Sequence, residues 1–221
     1  MNNLYNQPKI LQWIVAFILI QMCTLPALAI LIFGYKYPIL YLLLLFWIPI
    51  AQFSFSPFSK LIGIYTYYSP MLLGYMVTKE KIDLHSGSSF DYLFVMRKHK
   101  PGIEFRNRLL TYHLEGLINI IHQIENKPIP ETVSITATSY FFNTRTLQKL
   151  GFDFETPITS QKMNVYSNFL DLWWMHSLSR GKWSVPKFKD AKSARISGAK
   201  LVESKAYIED LYRQLKLKTA I

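Results

Sequence analysis

Two uncharged stretches at the start of the chain restrict its fold most. Ile10 to Phe33 contains no charged residue, and neither does Pro38 to Ser59. A hydrocarbon core of about 30 Å is crossed by roughly 20 apolar residues in a helix, so each stretch is long enough to span a bilayer. Gly34-Tyr35-Lys36-Tyr37 supplies a tight turn with aromatic residues suited to the interface. The expectation is an N-terminal transmembrane helical hairpin over residues 1–60, with spans at about 10–33 and 38–58. A cleaved signal peptide would have a shorter apolar core and would leave the second stretch unexplained. Residues 61–78 are apolar, uncharged and Tyr-rich, interrupted by Gly63, Pro70 and Gly74. They read as an interfacial or re-entrant segment, with a third span as the alternative.

Charge orients the chain. Lys9, Lys36 and Lys60 are the only charged residues up to position 78, and from Lys79 onward there are 22 basic and 14 acidic residues, a net +8. Basic flanks favour the cytoplasmic side. The expected location is therefore the inner or cytoplasmic membrane, with the C-terminal domain in the cytoplasm. The nearest polyanion for a net charge of +11 is the anionic lipid headgroup layer, so membrane lipid is the expected partner and nucleic acid is not. Cys23 is the one cysteine, which excludes an internal disulfide and a cysteine metal site. No paired metal ligands, Walker loop or Ser-His-Asp spacing is present, and no metal is expected.

Beyond Lys79 the pattern alternates. Lys81 to His85 reads as a strand and SGSS as a turn, and Phe90 to Lys98, apolar on both faces, reads as a central strand. Leu109, Leu110, Leu114, Leu117, Ile118, Ile121 and Ile124 recur at helical spacing from about Glu104 to Glu125. Glu131 to Thr138 alternates as a half-buried strand. Ser139 to Phe152, SYFFNTRTLQKLGF, is a short helix capped by Ser139 and ended by Gly151, a position that calls for a left-handed backbone. The domain is thus read as α/β over residues 79–160, with an aromatic and basic helical extension over 161–221. In that extension Phe169 to Ser177 reads as an aromatic helix, and Ala191 to Lys218 as a surface helix with a basic face.

Lys149-Leu150-Gly151-Phe152, together with this order of elements, resembles the closing motif of the GNAT family of N-acyltransferases. The likeness covers about Lys81 to Phe154. It implies a reduced GNAT-like mixed sheet with flanking helices, in which a pantetheine arm threads between two splayed parallel strands, Phe90 to Lys98 and Glu131 to Thr138. It also implies a thioester donor, acyl-CoA or an acyl carrier protein, and an amine acceptor. Because the domain is anchored, that acceptor is expected to be lipid-linked or membrane-embedded. Gly102, Arg106 and Arg108 fall where the family binds pyrophosphate, at the start of the long helix, where free N–H groups and the helix dipole favour anions. Leu147 stands where the family often has its proton-donating Tyr, so Tyr140 is the candidate donor and Asn143 a carrier-binding residue. His85 and Asp91 flank the SGSS turn and are candidate acid–base residues; His113 lies on the long helix. A non-catalytic adaptor, binding anionic lipid or a protein through the basic C-terminal region, is the alternative from a different class.

Overall fold

The computed structural model describes residues 3–139, 144–155, 166, 168–186 and 192–219. Helix α1 (Lys9–Gly34) has 26 residues, roughly 39 Å at 1.5 Å per residue, and is long and apolar enough to cross a membrane. Its small residues Ala16, Cys23, Ala27 and Gly34 are buried against the returning chain. Trp47 Nε1 donates to the Cys23 carbonyl at 3.4 Å, and the Trp13 and Phe58 rings meet edge-on at 5.8 Å, so the two arms run antiparallel. The returning arm is not one straight helix. A 3-10 helix (Pro38–Phe46) leads into α2 (Trp47–Leu61), and the Pro38–Leu44 and Trp47–Leu61 segments are bent by 49°. Pro49 sits in the first turn of α2, where its missing N–H costs nothing, and this favours a new helix start over continuation.

Residues 61–78 do not form a third membrane-spanning helix. Positive-φ Gly63 follows α2, and the chain then forms the antiparallel strands β1 (Tyr65–Ser69) and β2 (Leu72–Tyr75). Ser69 Oγ accepts from the N–H groups of Met71 and Leu72 at 3.3 and 3.0 Å and sets the turn around Pro70. The tyrosines on which the interfacial reading rested here follow their strand preference.

Strands β3 (Lys81–Ser86), β4 (Ser134–Ser139), β5 (Asp153–Glu155) and β6 (Lys192–Ser197) complete a six-stranded sheet in the order β1-β2-β3-β4-β6-β5. Its β3–β4 pair is parallel and every other pair antiparallel. The mixed α/β expectation holds, with two corrections. Phe90 to Lys98 is not a strand: Ser89–Val95 is helix α3, and Lys81–Ser86 is the central strand. Ser88 accepts from the Asp91 N–H, while Asp91 accepts from the Ser88 N–H, a capping box that starts a helix wherever the following residues tolerate one. The expected helix from Ala191 begins instead as β6, whose Ala194 and Ile196 are buried between β4 and β5. Helices α7 (Gly198–Glu203) and α8 (Lys205–Thr219) follow.

Helix α4 (Ile103–Glu125) covers one face of the sheet. Leu114, Leu117, Ile120, Ile121 and Ile124 pack with Ile82, Leu84, Val133, Ile135 and Ala137, and Leu201 and Ile208 close the cluster. Gly116 allows the close approach, since a Cβ there would lie 2.5 Å from Leu72 Cδ2. The other face presents Asp83, His85, Thr136 and Arg195, partly or fully exposed. Helix α5 (Thr144–Lys149) leads into Gly151, whose φ is +82°, and α6 (Phe169–Arg180) forms where the aromatic helix was read. Gly151→Val is expected to lower stability by at least the roughly 1–2 kcal/mol of a left-handed residue bearing a Cβ. Its Cβ would also meet Ser204 Oγ at 2.9 Å. Thermal unfolding of the purified variant measures the loss; an unchanged midpoint would contradict the assignment.

Candidate functional site

The sheet opens at its centre. Paired residues of β3 and β4 run from Lys81/Ser134 to Leu84/Ala137. Beyond that, His85 and Ser86 stay with Leu73 and Leu72 of β2, while Thr138 and Ser139 stay with Ser193 and Lys192 of β6. Each central strand therefore continues for two residues beside its outer neighbour only. The peptide groups facing this gap are not used by the β3–β4 ladder, and a strand edge of that kind accepts an extended ligand.

Two side-chain groups flank the gap, because residues on one strand alternate between the two faces. On the helix side, Ser86 Oγ lies 3.2 Å from His113 Nε2 and 3.2 Å from the Tyr92 hydroxyl. Tyr92 is buried on α3 and His113 half-buried on α4. Burial pulls the His113 imidazole down to about 4, against the opposing pull of a hydrogen bond to the Met71 backbone, so the ring is neutral at pH 7. The Tyr92 phenol is pushed up to about 12 by burial, with Ser86 acting in the other direction. A neutral imidazole and an un-ionised phenol fix the Ser86 hydroxyl without placing charge there.

The open side carries the charge. His85 Nε2 lies 3.7 Å from Asp83 Oδ2, and Thr136 donates to Asp83 Oδ1 at 2.9 Å. Burial is the strongest influence on Asp83 and raises its pKa, yet His85, Thr136 and Lys81 together outweigh it and hold the carboxyl below its usual range. The Tyr75 ring meets His85 edge-on at 6.1 Å. A carboxylate that stays ionised beside an accessible imidazole can orient that ring.

The other expected site residues lie elsewhere. Asp91 is fully buried. Its Oδ2 accepts from Ser88 N–H, Ser88 Oγ and Tyr67 OH at 3.0, 2.9 and 2.7 Å, which commits that oxygen to capping α3 and tying it to β1. Gly102, at φ +106°, donates its N–H to the Leu178 carbonyl at 2.8 Å and packs against Gly181. The start of α4 is thereby docked on the end of α6. His113 is eleven residues further along α4, so the helix start lies roughly 16 Å along the axis from the gap. Arg106 is exposed and Arg108 half-buried beside Tyr112. Tyr140 and Asn143 lie outside the described residues.

Sequence reasoning missed Asp83 and the contact of His113 with Ser86 and Tyr92. Its one available signal was a histidine interrupting the apolar stripe of α4. An open depression of about 360 Å3 lined by Gln148, Gly151, Lys200 and Glu203 lies on the far side of β6 from the gap, with Lys200 and Asp153 paired across it at 3.1 Å. Compared with protein-family models, curated proteins and solved structures, the chain finds no match.

Proposed function

We propose that the protein is a membrane-anchored, cytoplasm-facing N-acyltransferase of GNAT-like architecture. In this reading it moves an acyl group from acyl-CoA or an acyl carrier protein to the amine of a lipid-linked or membrane-embedded acceptor. The observation that carries it is the parting of the parallel strands β3 and β4 after Leu84 and Ala137, at the sheet centre, where the resembled family threads its pantetheine arm. Support also comes from the Leu150-Gly151-Phe152 turn into β5 and from α1 as a candidate span.

The thioester enters between the strands and the amine approaches from the open face. His85 accepts the amine proton as nitrogen attacks the thioester carbonyl, and Asp83 orients the ring. The tetrahedral intermediate collapses with cleavage of the C–S bond. The leaving thiolate takes a proton from Tyr140, the donor that the resemblance implies. Arg106 and Arg108 offer cations to the carrier's phosphates; the Gly102 N–H, already donating to Leu178, does not.

The test is thiol release from acyl-CoA and acyl carrier protein donors by the full chain in lipid nanodiscs, with phosphatidylethanolamine and soluble amines as acceptors. Transfer to the lipid amine is expected, and His85→Ala should slow it by about 10²-fold or more, the usual contribution of a positioned base, with unchanged thermal unfolding. Full activity in that variant would remove His85 from the mechanism. No transfer with any donor–acceptor pair would leave the adaptor reading.

A further inference from the structure

The loop that leads into α4 and the loop that follows α6 build a surface apart from the strand gap. Gly102 and Gly181 meet so closely that a Cβ on Gly181 would lie 3.0 Å from Gly102 Cα. This brings the loop after α3 beside the loop after α6. Arg97, Lys98 and Lys100 come from the first loop and Arg180 and Lys182 from the second, all exposed. Glu104, paired with His99 at 3.4 Å, is the one acid in either segment from Arg97 to Arg108 or Arg180 to Pro186. Among these cations stand large apolar side chains open to solvent: Ile103 is 69 % and Trp183 77 % exposed, Val185 follows in the second segment, and Phe94 is exposed on α3 just before the first.

The position of this surface relative to the hairpin decides what it meets. Phe53 of α2 packs on Phe90 and Phe94 of α3, with ring centroids at 5.2 and 6.3 Å, and the Gln52 side chain donates to Asn168 at the start of α6. Gln52 and Phe53 belong to the uncharged stretch from Pro38 to Ser59, so α3 and α6 rest on a part of α2 that is itself apolar enough for the bilayer. A ladder of rings, Phe169 to Trp173 at 5.9 Å and Trp173 to Trp183 at 5.6 Å, carries aromatic surface outward from that contact. Aromatic rings and cations around apolar side chains are the composition of an interfacial anchor.

We propose that this surface, Phe94, Ile103, Trp183 and Val185 ringed by Arg97, Lys98, Lys100, Arg180 and Lys182, is a second membrane contact that inserts at the headgroup–acyl boundary of an anionic bilayer. The occupant is lipid because the apolar surface is continuous with that of α2 and the rim is cationic where headgroups are anionic. The contact fixes the angle of the sheet to the bilayer, beyond the tether that α1 supplies. It does not depend on the acyltransferase reading, since lipid contact is read without turnover.

The test uses the full chain with Cys23→Ser, carrying an environment-sensitive fluorophore at Val185→Cys or, as control, at Lys149→Cys. Lys149 precedes β5, at the opposite edge of the sheet from the hairpin-side strand β1, roughly 24 Å away at about 4.8 Å per strand. The chain is reconstituted in phosphatidylcholine vesicles with and without phosphatidylglycerol, and quenching by headgroup-proximal spin-labelled lipid is measured. The Val185 probe should be quenched several-fold more than the Lys149 probe in vesicles containing phosphatidylglycerol, and Arg180→Gln with Lys182→Gln should reduce that quenching while the protein stays vesicle-bound. Equal quenching of the two probes overturns the proposal. So does quenching indifferent to neutralisation of the two cations, and so does a chain that fails to enter vesicles.

Discussion

Asp91→Ala is expected to destabilise the protein by about 3–5 kcal/mol, the sum of a lost helix cap and lost hydrogen bonds to a buried charge. The side chain is fully buried, and three donors converge on one oxygen: the Ser88 N–H, Ser88 Oγ and the Tyr67 hydroxyl. Their sources explain the size of the effect. Ser88 begins α3 and Tyr67 belongs to β1. Tyr67 in turn meets Tyr5, the two hydroxyls 3.5 Å apart, and Lys60 at the end of α2 lies 3.7 Å over the Tyr5 ring. Burial lowers the Lys60 pKa and Asp91 opposes that shift, so the carboxylate helps to keep this ammonium charged. Burial and the Asp91 charge also push the Tyr67 phenol well above its ordinary value, which keeps it a donor. Truncation to alanine leaves a buried hydroxyl and a helix start without their acceptor, at the junction of hairpin and domain. Asp91→Asn retains an acceptor oxygen and loses only the charge, so its cost should be clearly smaller. Thermal unfolding followed by circular dichroism separates the two. Equal midpoints for wild type and Asp91→Ala would refute the capping role, and an Asn variant that is stable yet inactive would restore Asp91 as a catalytic residue.

That Asp91 looked catalytic in the sequence shows what local pattern can and cannot convey. The long helix was legible because its apolar residues repeat over 23 residues, further than any competing period survives. Gly151 was legible because a helix that ends needs a left-handed residue and glycine supplies it at little cost. The first apolar arm was legible from length alone. Failures came where two readings were locally equal. Phe90 to Lys98 alternates like a strand, and only the reciprocal Ser88–Asp91 bonds decide for a helix. Tyr65 to Tyr75 has the composition of a membrane interface and of a β-hairpin alike, and pairing with β3, a tertiary fact, selects the second. Lys192 to Ser197 is too short and too charged to stand as a strand until β4 and β5 enclose it. The site was half visible for the same reason. His85 could be placed at a strand end, but the partner of Asp83 on β4 is 53 residues away and the contact of Ser86 with His113 spans 27. No local pattern encodes which distant residues a sheet will bring together.

Two buried titratable groups should give the protein a pH profile that single substitutions expose. His113 is depressed from 6.5 to about 4 by burial. Because the folded value is the lower one, neutral His113 contributes stability that is present above pH 6.5 and is lost as pH falls to 4, about 3 kcal/mol at 1.36 kcal/mol per pKa unit. Asp171 on α6 shifts the opposite way: burial raises it from 3.8 to about 6, only partly offset by a hydrogen bond from Ser89. Its folded value is the higher one, so its contribution is full below pH 3.8 and is lost as pH rises through 6, again about 3 kcal/mol. Between pH 4 and 6.5 the two slopes oppose each other, and the wild type should therefore be nearly flat in this window as far as these groups determine it. Asp171→Asn removes the ionisation penalty, so this variant should be more stable than wild type at pH 7.5 and should lose stability steeply on acidification. His113→Gln should instead gain stability as pH falls from 6.5 to 4, and the double variant should return to a flat profile with an offset. Denaturation midpoints measured every half unit of pH decide the matter. Superimposed profiles for wild type and Asp171→Asn would mean that Asp171 is hydrated, and with it the α3–α6 contact through Ser89. An unchanged slope in His113→Gln would mean that the imidazole beside Ser86 is open to water, leaving the helix side of the gap without the neutral, fixed wall described for it.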